Sequence, residues 1–202
     1  SSGRATYKMT SNVFSGTMRL SWTGGGAKYH QDTSMTMRVA SNRKTMPVNM
    51  WSLFDGRNLY TVSPMFGAKT AMRMKLSPQM SRSMMLSTLN TSPQGLSGKL
   101  VGRGEILGRP CEIRQSNVTN DKVSVHTKVW LWQDLPLRVE SLVNIKATQG
   151  KNATPARKIQ TSVVATGVQT GIKFSPALFT LPKGYTVRDV QLPPGNRPAQ
   201  RR

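Results

Sequence analysis

Three short segments, TMRLSW at 17–22, MTMRVA at 35–40 and MRMKL at 72–76, alternate residue by residue between apolar side chains and polar or cationic ones. In the first, Met18, Leu20 and Trp22 oppose Thr17, Arg19 and Ser21; in the second, Met35, Met37 and Val39 oppose Thr36 and Arg38. In the third, Met72, Met74 and Leu76 oppose Arg73 and Lys75. A period of two is that of an extended strand, whose successive side chains point to opposite faces. The alternation therefore predicts a sheet that is apolar on one face and cationic on the other.

The same pattern returns further along. KVSVHTKVWLW places Val123, Val125, Val129 and Leu131 against Lys122, His126, Lys128, Trp130 and Trp132, and LRVESLVNIK continues it after a break expected at Pro136. KIQTSVVATGVQTGIKF reads as another strand, with Gly167 marking a bulge or bend. Turn signals fall between these runs at Gly24-Gly25-Gly26, Ser41-Asn42, Asp55-Gly56, Gly108-Arg109-Pro110, Asn120-Asp121 and Gly150-Lys151-Asn152. Such regular punctuation predicts an antiparallel meander within one domain over 1–190, followed by a basic, Pro-rich tail over 191–202 that is expected to be disordered.

One segment predicts a helix. In SPQMSRSMMLSTLN, Ser77 is placed to cap and Pro78 occupies the first helical position, where its missing N–H costs nothing. Met80 with Met84, and Met85 with Leu89, lie four residues apart and predict an apolar, Met-rich stripe; Pro93 closes the segment. SPALF at 175–179 repeats the Ser-Pro opening and predicts a single turn.

Charge narrows the function. Twenty-nine Lys and Arg stand against eight Asp and Glu, a net +21, which points to anionic partners, either nucleic acid or an acidic membrane face. Catalysis is not expected: carboxylates are scarce, Glu105 and Glu112 read as solvated hairpin charges, and His30 and His126 have no ligand spacing. A single cysteine, Cys111, cannot form an internal disulfide or a Cys-based zinc site and reads as a small buried strand residue. No metal or cofactor is expected. All twelve methionines lie between Met9 and Met85. Copper(I) would use such soft ligands, but His or Cys is missing beside them. Flexible, polarizable Met side chains also suit an adaptable apolar cavity. Nucleic-acid recognition finds one stretch of interleaved aromatics and cations, HTKVWLW, and no known motif.

Four pieces in order resemble the LolA-like and LolB-like superfamily. MWSLFDGRNLYTVSP (50–64) is similar to its Asp-Gly hairpin with an aromatic strand and closing Pro. GEILGRPCEIRQS (104–116) resembles the GxxCxxY strand pair of a subgroup known only as domains of unknown function. KVWLWQDLPLRVES (128–141) resembles the Trp-bearing strand that runs into an LPLR turn, and SPALFTLPKGYTV (175–187) resembles the closing F-x-x-P-x-G-Y element. The chain departs from the carriers by entering strands at once rather than through a lid helix.

The resemblance implies a mainly β fold: a single curved antiparallel sheet, an unclosed half-barrel, with helix covering its concave apolar face. It also implies non-enzymatic binding of a lipid, acyl chain or acylated protein in the cell envelope, as a lipoprotein carrier or, alternatively, as an envelope sensor or scaffold with a protein partner. A cationic nucleic-acid binder is the remaining alternative. The expected cavity residues are Met35, Met37, Trp51, Met72, Met74, Met80, Met84, Val125, Val129 and Leu131. Arg19, Arg38, Arg73 and Lys75 are expected to dock on an anionic membrane surface or a partner. An exported, periplasmic location follows from the resemblance. The start SSGRATYKMTS shows no signal-peptide core and reads as a processed end.

Overall fold

The alternating segments become strands of one twelve-stranded sheet in the computed structural model, which describes residues 1–38, 45–89, 96–147 and 155–190. The strands are β1 (Gly3–Ser11), β2 (Phe14–Thr23), β3 (Lys28–Arg38), β4 (Thr45–Phe54), β5 (Asn58–Val62) and β6 (Thr70–Lys75). After the helix α1 (Pro78–Thr88) come β7 (Lys99–Ile106), β8 (Arg109–Thr119), β9 (Val123–Trp132), β10 (Leu135–Ile145), β11 (Arg157–Thr170) and β12 (Thr186–Asp189). Their order across the sheet is β12-β6-β5-β4-β3-β2-β1-β11-β10-β9-β8-β7, so the curved sheet is left unclosed with β7 and β12 as its edges. This is the mainly β, half-barrel architecture expected from sequence. Two features exceed a plain meander. β1 pairs with β11, joining the halves of the chain, and β12 runs parallel to β6.

Register assigns the faces. Tyr29 pairs with Phe54 and Trp22, Leu20 with Ala5, Met18 with Tyr7, and Val139 with both Val129 and Val163. These side chains share the inner face and join one buried cluster that spans β1–β5 and β8–β11. Tyr7 shows how tightly the sheet curls: its hydroxyl donates to the Pro136 carbonyl at 3.1 Å, 129 residues away in the chain. Burial pushes the Tyr7 phenol well above its ordinary pKa, so it stays a neutral donor.

α1 covers part of this face. Ser77 Oγ accepts from the Met80 N–H at 3.2 Å, so Ser77 caps as expected. The inward side is not the expected one. Ser81 and Leu89 are buried and Met85 packs on the core, whereas Met80 and Met84 point outward and are exposed. The reason is polar: the Ser81 hydroxyl donates to Tyr29 Oη at 3.3 Å, and the Tyr29 hydroxyl approaches the Ser81 carbonyl at 3.4 Å. The helix is rotated to seat Ser81, Met85 and Leu89, four residues apart, on the sheet.

The outer face is cationic, yet its N-terminal half is partly covered by the chain's last described stretch. Phe174 lies under the Arg4 guanidinium, 5.3 Å from its ring centroid, and meets Phe179 edge-on; Phe179 is buried on the turn Pro176–Phe179. Tyr185 then packs edge-on against Trp51 at 5.5 Å, before β12 joins the sheet.

Turns depart from expectation in two places. Between β7 and β8 the turn is Leu107-Gly108, both at positive φ, and Arg109 and Pro110 already belong to β8. Between β9 and β10 it is Gln133-Asp134, again with positive φ, while Pro136 sits inside β10 beside a bulge. The bulge near Gly167 is present where β11 shifts register against Thr6 and Tyr7. The expected turns at Ser41-Asn42 and Gly150–Asn152, Pro93, and the tail over 191–202 lie outside the described residues.

Candidate ligand pocket

The Asp-Gly hairpin at 50–64 is a piece of architecture with two dissimilar sides. Asp55 clamps its turn: Oδ1 accepts from the N–H groups of Asn58 at 2.7 Å and Arg57 at 2.8 Å, and Oδ2 from the Asn58 side chain at 3.2 Å. Partial burial raises the Asp55 pKa, but these bonds outweigh it and hold the carboxyl below its usual range. Phe54 points inward to Tyr29, with ring centroids 5.8 Å apart. Trp51, three residues earlier, points outward and stacks on His30 at 5.6 Å. His30 in turn lies 3.5 Å from Asp32, whose pKa is lowered first by that hydrogen bond.

The expected cavity residues are thus not brought together. Trp51 is on the outer face, Met80 and Met84 are on the solvent side of α1, and Met37 is exposed at the end of β3. Val129 and Leu131 are on the inner face but already buried within the core, with Met35 and Met74 packed against it. Met72 and Val125 are half-buried on inner-face positions. The four expected docking cations do share the outer face, but Arg73 is held by Asp189 through Nε–Oδ1 at 2.6 Å and Nη2–Oδ2 at 2.9 Å. Arg19 stands opposite Asp32 across β2 and β3; Arg38 and Lys75 are exposed at the C-terminal ends of β3 and β6, on opposite rims of the sheet.

A pocket of about 290 Å³ opens where α1 meets the sheet. Its apolar walls are Leu20 and Trp22 from β2, Met85 from α1, and Trp132 and Leu135 from the β9–β10 hairpin; Ser1, Gly25, Gly26, Gln133, Asp134 and Thr170 form the rim. Two local arrangements set these walls. Gly3 lets the Trp22 indole lie against β1: a Cβ there would stand 2.5 Å from Trp22 Cζ2 and 2.6 Å from the Gln169 carbonyl oxygen. Arg109 lies over Trp132, with its guanidinium carbon 4.0 Å from the ring centroid, while donating to the Val168 carbonyl at 3.2 Å. The cation–π contact ties β8 to the end of β9 and fixes the indole, and the hydrogen bond to Val168 ties β8 to β11.

Trp132, Gln133 and Asp134 also border a second, larger hollow of about 800 Å³. Its lining mixes Leu96, Cys111 and Leu131 with Arg103, Glu112 and Arg114; Glu112 is bound by Arg114 at 2.7 Å. Burial pushes the Cys111 thiol up in pKa, and Sγ donates to the Arg109 carbonyl at 3.3 Å. The geometry is that of an inert packing residue, not a nucleophile. No group of three or more His, Cys, Asp or Glu that could hold a metal occurs among the described residues.

Sequence reasoning missed this pocket for a definable reason. Leu20 and Trp22 had the right parity, but Met85 belonged to the other half of the helix stripe and Trp132 was assigned to the cationic face. The available signal was the Met85-Leu89 spacing, which Ser81 extends by one more turn.

No family model and no curated protein matches the sequence. Among solved structures, the chain is similar to a β-barrel-like protein of the domain of unknown function DUF1849 from Brucella abortus. The match has 10% identity and a TM-score of 0.29, and covers 83% of this chain and 96% of that one.

Proposed function

We propose that the protein binds an acyl chain or similarly slender apolar ligand in the pocket beneath α1, without catalysis. The observation that carries this reading is the pocket wall itself: Leu20, Trp22, Met85, Trp132 and Leu135 converge on a space at the lower end of the range for small-molecule sites. Each methylene transferred from water into such a space gains about 0.8 kcal/mol. Met85 and the two indoles offer adaptable and rigid surface, respectively, which suits chains of varied shape. Arg103, lining the adjoining hollow across Trp132, would meet an anionic head group in this reading. In this reading the protein is an exported lipid or lipoprotein carrier of the LolA-like kind, or a sensor of the same build.

The cationic nucleic-acid reading finds its aromatic platform already engaged. Trp130 has Lys128 at 5.0 Å and Arg138 at 4.8 Å from its ring, and a Cβ at Gly104 would lie 3.7 Å from the indole.

The test is displacement of a fluorescent apolar probe from delipidated protein by an acylated peptide and by its unacylated twin, at low and high salt. Displacement by the acylated form alone, surviving high salt, is expected. Met85→Glu should weaken it at least tenfold, while Met84→Glu, on the exposed side of the same helix, should leave it unchanged. Equal sensitivity of the two variants, or displacement abolished by salt, overturns the reading.

A further inference from the structure

We infer that the rim of the half-barrel remote from the pocket mouth docks on an anionic bilayer surface. Strand register places one end of eight neighbouring strands side by side. These are the start of β4, the end of β3, the β1–β2 turn, the start of β11, the end of β10 and the β8–β9 turn. Backbone and side-chain bonds tie this rim together: Arg38 N–H donates to the Val13 carbonyl at 2.9 Å, the Asn12 side chain donates to the Lys158 carbonyl at 2.8 Å, and Lys146 N–H donates to the Lys122 carbonyl at 2.9 Å.

Two independent features coincide there. Arg38, Lys122, Lys146, Arg157 and Lys158 are all exposed, against one carboxylate, Asp121, among the described residues of the rim. Large apolar side chains are exposed at the same level: Val13, Met37 and Met46, the last 46% accessible and paired in register with Met37. The turn Pro64–Phe66 packs against β4 beside Asn49 and Met50 and adds Met65, 80% accessible, and Phe66. Cations flanked by flexible thioethers and a phenyl ring suit an interface in which charge meets lipid phosphate while short apolar tips enter the head-group region. Nucleic acid would use the cations but leave these apolar tips without a partner.

The opposite rim has a different character. It mixes charges, with Asp55 and Asp134 in its turns beside the exposed Lys28, Arg57 and Lys75, and the pocket opens there between Gly25 and Gln133. Membrane contact through the cationic rim therefore leaves the pocket mouth facing away from the bilayer, free to exchange ligand with a protein. Of the four cations expected from sequence to dock, only Arg38 belongs to this surface.

Co-sedimentation with vesicles tests the inference. The protein should pellet with vesicles of phosphatidylcholine containing about a third phosphatidylglycerol, and remain in the supernatant with pure phosphatidylcholine. Each removed cation should weaken binding roughly fivefold, so Arg157→Ser with Lys158→Ser should cost on the order of 25-fold. Met46→Ser with Met65→Ser should abolish the fraction that resists high salt. Arg57→Ser, on the opposite rim, and Met85→Glu, in the pocket, should leave vesicle binding intact, which separates this surface from the ligand site. Melting curves of each variant exclude unfolding. Binding to neutral vesicles equal to that on anionic ones, insensitivity to the Arg157 and Lys158 changes, or full competition by a short DNA duplex after the Met changes have had no effect would each overturn it.

Discussion

The N-terminal half of the sheet and the β7–β8 wing are both antiparallel β structure and meet different fates. In β1 through β4, inner-face side chains such as Tyr7, Leu20, Tyr29 and Phe54 are almost wholly buried. In β7, Leu100 and Val101 remain about half exposed, and only Ile106, at the strand's end, packs against the core. Both regions are built by antiparallel pairing, though β7 is paired along one edge only. What differs is cover: the first half is roofed by α1 within and by the 174–185 segment without, whereas β7 is an edge strand flanked on one side only. Alternation chooses the face, and a second layer decides whether that face becomes core.

The sharpest way to break this contrast is to truncate one residue in each region. Phe54→Ala removes a ring from the covered half and should destabilise the protein by about 3–5 kcal/mol, partly through the cavity left against Tyr29. Val101→Ala, on the wing, should stay within about 0.5 kcal/mol. Denaturant unfolding of the two variants reads both numbers, and equal losses would show that the wing is covered in solution. The helix offers the same comparison on a smaller scale. Leu89→Ala should cost about 2–5 kcal/mol and Met84→Ala next to nothing, because only the former is buried.

Gly3→Ala probes the junction between the halves, where β1 sits between β2 and β11. The new Cβ would meet both the Trp22 ring and a backbone oxygen, so a shift of the side chain alone cannot relieve it. A loss of about 1–3 kcal/mol is expected, together with a change in Trp fluorescence as the indole leaves its place in the pocket wall.

These contrasts explain what was legible in the residues and what was not. Strand identity, the two-faced sheet, the Ser77 cap and the Gly167 bulge followed from period, turn chemistry and backbone rules, all local properties. The orientation of α1 was not local: Met80 and Met84 match an apolar stripe as well as Met85 and Leu89 do. A serine hydroxyl facing Tyr29, distant in sequence, chose between them. Trp51 was similarly ambiguous, since an aromatic in a half-covered sheet can be buried on either face. Tyr185, arriving from the far end of the chain, accounts for its outward packing. The pocket depends on where α1 and the β9–β10 hairpin meet, and no spacing within either segment encodes that meeting. Leu107 and Gln133 carry no turn signal, since neither is a residue that favours a left-handed conformation, yet both have positive φ.

The two turns that end the contrasting regions sharpen the comparison through pH. Asp55 stabilises the β4–β5 turn as a carboxylate, and its folded pKa lies below the unfolded value. Its contribution is therefore complete above the ordinary carboxylate range and disappears as pH falls through the folded pKa. Asp55→Ala should cost about 1–2 kcal/mol at neutral pH, towards the lower figure because the turn is partly solvated. Melting curves of parent and variant should converge in acid; a constant gap down to low pH would mean that the carboxylate's charge is irrelevant to the clamp.

The β7–β8 turn closes instead on backbone geometry, with Leu107 at a φ of 53° followed by Gly108 at 69°. A branched side chain in the left-handed region is strained by about 1–2 kcal/mol relative to a residue that tolerates it, and paired positive φ values are the natural place for Asn-Gly. Leu107 is also half exposed, so its replacement sacrifices little burial. Leu107→Asn should accordingly raise stability by about 0.5–1 kcal/mol at every pH, a small gain opposite in sign to all the others. If the variant is instead destabilised, Leu107 is covered in solution and the wing is less bare than its register makes it.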